Sequence, residues 1–149
     1  MNQLPITIRK FKAEDESFVY HSWLETYLDA LSDMKVLNGL RSDVYYKGQH
    51  KRIEELLSRC TTLIACNNED IDQIYGWICF ETLSSGQIFH FMYVKQPFRK
   101  NGIAKMLIEE ARDKNEKEVF YTHKTPFTKE IIKYFQRSVF NPYLVEVYK

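Results

Sequence analysis

The chain predicts an α/β fold of the α+β kind, on three observations. Phe89 to Val94 are nearly all aromatic or β-branched, as suits a buried strand. Pro97 ends that run, and from Ala104 the apolar residues Ala104, Leu107, Ile108 and Ala111 recur at helical spacing. Upstream, polar turns at Asn67 to Asp72 and Ser84 to Gly86 separate extended segments into a hairpin series.

Taken in order, Leu4 to Arg9 alternates enough for a first strand. Acidic residues follow from Ala13 to Ser17, where a helix N-terminus favours them. Tyr20, Trp23, Leu24, Tyr27, Leu28 and Leu31 then fall on one face of a helix reaching about Ser32. Asp33 to Tyr46, with Asn38-Gly39 and little periodicity, reads mainly as loop. A second helix is expected over Lys47 to Cys60, with Ile53, Leu56, Leu57 and Cys60 on one face. Strands are expected at Thr61 to Cys66, Ile74 to Glu81 and Gln87 to Val94. The rest reads as a helix to about Glu116, a strand Glu118 to Thr122, a helix Thr128 to Ser138 and a terminal strand Leu144 to Tyr148.

A length of 149 residues is expected to make one domain spanning 1–149, with 44% hydrophobic and 28% charged residues placing it among globular chains. Lys+Arg at 21 against Asp+Glu at 20 leave +1, which makes no electrostatic case for nucleic acid or a membrane surface. Cys60, Cys66 and Cys79 lack zinc or C-x-x-C spacing, so no metal site is expected and buried free thiols are. Met1 to Ile8 is short and followed by Arg9 and Lys10, unlike a secretory leader, so a cytoplasmic protein is expected.

The strand–helix junction Arg99-Lys-Asn-Gly-Ile-Ala104 carries the chemistry. The first amides of a helix lack intrahelical partners and bear the positive end of its dipole, so they bind phosphate. Gly102 lets an anion reach the main chain and tolerates positive φ. Arg99, Lys100 and Lys105 add cations. Neither G-x-x-x-x-G-K-[ST] nor G-x-G-x-x-G occurs, so this would be a diphosphate turn of another kind.

The spacing Val94-x-x-x-x-Arg99-x-x-Gly102-Ile-Ala104, placed between strand and amphipathic helix, resembles the signature of the Gcn5-related N-acetyltransferases. That resemblance implies a mixed, mostly antiparallel central sheet of six to seven strands flanked by about four helices. It implies that Arg99, Lys100, Asn101, Gly102, Ile103, Ala104 and Lys105 hold the pyrophosphate of acetyl-coenzyme A, the acyl donor. It places the pantetheine arm against the backbone of Met92, Tyr93 and Val94, one of whose amides would stabilise the oxyanion. The implied activity is transfer of an acetyl group to a primary amine, of a small molecule or a protein, by direct attack in a ternary complex.

For the base, His90 lies where many relatives of that family carry a glutamate, and Glu81 ends the preceding strand; either could take a proton. His123 falls near the expected mouth of the gap. For the acid, the family's helical tyrosine aligns with Phe135, so Tyr134 would serve only after a shift of register. His21, Trp23, Tyr27, Tyr45, Tyr46, His50 and Tyr121 to Thr125 would form an aromatic rim for the acceptor. Two alternatives follow from the Phe135 departure and the aromatic first helix: an inactive acetyl-coenzyme A-binding module, or a protein-interaction domain. Exposed aromatic patches could also pair two copies as a homodimer.

Overall fold

The computed structural model describes residues 4–33, 42–115 and 118–145. Its elements run β1 (Ile6–Lys10), α1 (Glu16–Asp33), α2 (Ser42–Arg59), β2 (Thr61–Asn67), β3 (Asp70–Thr82), β4 (Gly86–Val94), α3 (Ile103–Ala111), β5 (Glu118–Tyr121), α4 (Thr128–Tyr134) and β6 (Val139–Phe140). The strands lie in one six-stranded sheet in the order of the sequence. β1 to β4 pair antiparallel, as tight polar turns allow. β5 and β6 join parallel, because α3 and α4 carry the chain back across the sheet before each. The sheet is therefore mixed and mostly antiparallel, as expected.

Helices cover both faces. α1 and α2 bring Val19, Trp23, Leu24, Ile53 and Leu56 against Trp77, Cys79 and Phe91. On the other face α3 and α4 bring Ile103, Leu107, Ile108, Ala111 and Ile131 against Tyr75, Ile78, Phe89, Met92 and Val94. Burial on both sides explains why β3 and β4 read as continuous apolar runs, not as alternating ones. Gly76 lets β4 lie close, since a Cβ there would meet the Tyr93 carbonyl oxygen at 2.5 Å.

Several boundaries differ from the sequence reading. α2 begins at Ser42, so Tyr45 and Tyr46 are helical, not loop. Tyr45 is buried, and its hydroxyl donates to the Leu24 carbonyl at 3.0 Å, a tertiary tie that periodicity does not report. α3 stops at Ala111, and α4 stops at Tyr134, where Phe135 turns extended (φ −113°, ψ 95°). The last strand lies at Val139–Phe140, and Leu144 sits in a short 3-10 turn, Pro142–Val145. The remainder of the expected terminal strand, 146–148, falls outside the described residues, as does most of the expected loop 33–46.

Asp15 does more than favour a helix start. Its carboxylate takes Arg9 Nη1 at 2.7 Å and Nη2 at 2.8 Å, plus the Lys12 amide at 2.9 Å, while only 3% exposed. Burial alone would raise its pKa, but the hydrogen bonds from Arg9 and Lys12 outweigh that and hold it below 3.8. Asp15→Ala leaves the Arg9 charge without its carboxylate, bonded only to the Ile71 and Lys10 carbonyls, and urea unfolding at neutral pH is expected to show a loss of about 3 kcal/mol. Because the folded pKa is depressed, this stabilisation is present above the ordinary carboxylate value and fades as pH falls below it. The gap between wild type and Asp15→Ala should accordingly narrow in acid.

Candidate active site

The β4–α3 turn follows an unusual backbone path. Lys100 (φ 67°) and Gly102 (φ 79°) both take the left-handed conformation, a strained choice for lysine. The first helical bond runs from the Met106 amide to the Gly102 carbonyl at 3.0 Å, so the amides of Ile103, Ala104 and Lys105 precede the ladder. A cavity of about 310 Å³ opens against them, lined by Val94, Phe98, Arg99, Lys100, Gly102 to Lys105, and by Phe127 and Lys129 across the gap. A Cβ on Gly102 would have nothing within 4 Å. Its neighbourhood is open space for a ligand.

Arg99 braces this turn. Its Nε donates to the Val94 carbonyl at 2.8 Å, and its guanidinium lies 5.0 Å from the Phe127 ring centre. Asn101 folds back, its Nδ2 donating to the carbonyls of Phe98 and Arg99 at 3.0 and 3.1 Å. It does not line the cavity, so its part is to hold the turn. Lys105 Nζ lies 3.9 Å from Glu109 Oε1 along α3.

β4 and β5 pair only from Gly86–Glu118 to Phe89–Tyr121, then part. Beyond that point β4 keeps β3 on one edge. The Lys95 amide bonds the Tyr75 carbonyl, so by alternation Tyr93 also turns its main chain to β3. Met92 and Val94 turn theirs to the other edge. Of the three residues expected to offer backbone to a pantetheine, these two are placed to do so, and Tyr93 is not. The gap holds about 20 Å³, between Phe91, Met92, His123, Thr125, Phe127, Thr128 and Ile131. Phe127 borders both spaces.

The partition of β4 has a second consequence. Phe89 pairs with Phe80 and Phe91 with Cys79, which leaves His90 as the extra residue of a β-bulge. Phe91 stacks on Trp23 and Trp77, while His90 reaches Glu81, so both turn toward the α1–α2 face. There a buried polar row forms. His90 Nε2 lies 3.0 Å from Glu81 Oε2 and its Nδ1 3.0 Å from Thr122 Oγ1, which in turn lies 2.8 Å from His123 Nδ1. Glu81 Oε2 also accepts from Cys60 Sγ at 2.9 Å, with Arg59 Nη2 at 3.4 Å.

Electrostatics separates the two histidines. Burial disfavours charge on His90, but the Glu81 carboxylate, 3.0 Å from its Nε2, outweighs it and raises its pKa above 6.5. Burial raises Glu81 as well, yet hydrogen bonds from His90 and Cys60 prevail and hold it down to about 2. His123 has no carboxylate; burial, then the charges of His90 and Arg52, push it down to about 3. The Cys60 thiol, beside Cys79 and buried, is pushed up and stays protonated.

Thus Glu81 and His90 come together, but beneath the surface. Tyr134 does not join them: it lines a separate cavity of about 640 Å³ with Arg112, Glu118 and Arg137, its ring 5.9 Å from the Arg112 guanidinium. Phe135, outside the helix, packs on Phe89 at 5.4 Å between ring centres. The register shift that would bring Tyr134 to the gap is therefore absent. Nor do the aromatics form a rim: Trp23 is wholly buried, and Tyr27 packs on His123 at 4.8 Å. The sequence does not single out Phe127 or Lys129, and it points to Thr122 only within the expected rim. A threonine next to a histidine at a strand end carries no signal until the bulge sets His90 opposite.

Among solved structures, the chain resembles the ribosomal-protein-alanine N-acetyltransferase of Brucella melitensis biovar Abortus 2308, at 19% identity and TM-score 0.52, over 87% of this chain and 90% of that one. It also resembles an acetyltransferase of Vibrio fischeri, at 20% identity and TM-score 0.52, over 77% and 93%. Against apo-form YjaB of Escherichia coli the identity is 23% and the TM-score 0.48 over 71% of this chain, which spans 63% of that protein. No protein-family model and no curated protein matches the sequence. The fold is that of the Gcn5-related N-acetyltransferases.

Proposed function

We propose that this chain, acting as one domain, transfers an acetyl group from acetyl-coenzyme A to a primary amine. The observation that carries the reading is the cavity of about 310 Å³ against the amides of Ile103 to Lys105, bordered by Arg99, Lys100 and Lys129 and adjoining the parting of β4 and β5. The diphosphate of the donor would sit there on the helix dipole. Its arm would run along the open edge of Met92 and Val94, and the Met92 amide would face the thioester oxygen as charge develops on it. A gap of about 20 Å³ is too small for that arm, so Phe127 must move aside when the donor binds. With β4 bulged at His90, Glu81 and His90 would lie behind the reacting carbon and govern protons without touching the amine.

Calorimetric titration with acetyl-coenzyme A and with free coenzyme A tests the cradle. Micromolar binding of both is expected; binding of neither would remove the reading. Thiol release with a panel of amines then separates turnover from mere binding. The second reading, an inactive donor-binding module, is favoured by the phenyl ring of Phe135 packed at Phe89, where no hydroxyl is offered. It would be upheld if the donor bound and no amine released thiol.

A further inference from the structure

Acyl transfer from a thioester needs a proton for the departing sulfur, and no tyrosine hydroxyl is found at the gap among the residues that line it except Tyr121, at the paired end of β5. The row Glu81–His90–Thr122–His123 supplies an alternative. A carboxylate only accepts, so His90 Nε2 carries a proton toward Glu81. With His90 charged, its Nδ1–H donates to Thr122 Oγ1, and the hydroxyl proton of Thr122 then points to His123 Nδ1. That leaves His123 neutral, with its proton on Nε2. With His90 neutral, its Nε2–H still donates to Glu81 but the two bonds at Thr122 reverse: Thr122 donates to His90 Nδ1, and His123 Nδ1–H donates to Thr122. His123 Nε2 is then bare. The row has two fully hydrogen-bonded states that differ by one proton, and its outer end, His123, lines the gap beside Met92.

We propose that this row delivers a proton to the coenzyme A thiolate, with His123 as the donating catalytic residue and Thr122, His90 and Glu81 as positioning residues behind it. The inference rests on the acetyl-transfer reading. The amine nitrogen bonds the thioester carbon, the carbon–sulfur bond breaks, and its electron pair remains on sulfur. The thiolate takes the Nε2 proton of His123. His123 Nδ1 takes the hydroxyl proton of Thr122, and Thr122 takes the Nδ1 proton of His90. His90 ends neutral, still donating through Nε2 to Glu81. The proton lost by the new amide nitrogen goes to solvent, from which His90 is recharged after product leaves.

The charges around the row suit this resting state. Glu81 from β3 lies within bonding distance of His90, with Arg59 and the protonated Cys60 on the same carboxylate. Arg52 from α2 acts on His123, and Tyr27 from α1, whose own pKa burial raises, packs on its ring. The Glu81 carboxylate against Nε2 favours the row's extra proton on His90, away from the gap, while burial and the charges of His90 and Arg52 keep His123 neutral.

The test uses the full chain with isotope-labelled histidine, observed by nuclear magnetic resonance, and two probes: coenzyme A and desulfo-coenzyme A, which lacks the sulfur. Wild type should show His90 doubly protonated at neutral pH and His123 protonated on Nε2 alone. Both probes should bind, and only coenzyme A should shift the His123 Nε2 signal. Thr122→Val should reverse or erase the His123 tautomer preference and the sulfur-dependent shift, and Thr122→Ser should restore both. If neither probe binds, the acetyl-transfer reading itself fails. If both bind and His123 responds to them alike, or if Thr122→Val leaves the tautomers of wild type, the relay is overturned while the reading survives. The two-probe comparison in wild type decides the matter even if Thr122→Val does not fold.

Discussion

Gly102→Glu is expected to weaken acetyl-coenzyme A binding by about 100-fold or more, equivalent to about 2.8 kcal/mol. The position is the N-cap of α3, at φ 79°, and a Cβ placed there would have no atom within 4 Å. A glutamate side chain would therefore enter the space assigned to the diphosphate, bringing like charge and bulk together. An acidic residue at a helix N-terminus is otherwise favourable, which offsets part of the strain of placing a side chain at positive φ. The variant should fold, with calorimetry reporting the loss. Gly102→Ala is the control: it keeps the backbone strain, about 1 kcal/mol, without the charge. If both variants bind as wild type does, the anion lies elsewhere; if both lose binding equally, the left-handed turn matters and the space in front of it does not.

How far the residues announce this arrangement depends on the range of the interactions involved. β4, α3 and the turn between them are local objects. Apolar runs, Pro97 and Gly102 state them directly, and the structure places β4 and the start of α3 within a residue of expectation, although α3 ends at Ala111, short of the expected Glu116. The two faces of the sheet follow from the helical stripes of Trp23, Leu24, Leu56 and Leu107. The bulge at His90 is different in kind. It arises from a mismatch in register between β3 and β4, and no residue of Phe89-His90-Phe91 marks it. Without it His90 would not reach Glu81 and Thr122, so the row of protons could not be read from spacing alone. The end of α4 is another case. Tyr134 and Phe135 both suit a helix, but Phe135 leaves it to pack on Phe89, a contact decided by tertiary burial.

The same register explains why the carboxylate end of the row bears so much of the fold's stability. Glu81 Oε2 is the common acceptor for Cys60, His90 and Arg59, three donors drawn from the end of α2 and from β4. Glu81→Ala removes that acceptor and leaves buried donors facing each other. The expected loss is about 3–5 kcal/mol, seen as a fall in Tm of roughly 10 °C. Glu81→Gln keeps an oxygen for His90 and Cys60 without the charge, and its loss should be smaller. The pH dependence discriminates between charge and mere shape. His90 is raised in the folded state, so its contribution is complete below 6.5 and disappears as pH rises through its folded pKa. Glu81 is depressed, so its contribution is complete above 4.5 and disappears as pH falls toward about 2. The deficit of Glu81→Ala should therefore be greatest between pH 4.5 and 6.5, fall off in stronger acid, and shrink again as pH rises through the folded pKa of His90. Urea unfolding of wild type and both variants from acid to alkaline pH measures it. A deficit independent of pH would mean that Glu81 supports the fold by packing alone, and that His90 carries no charge in the native protein.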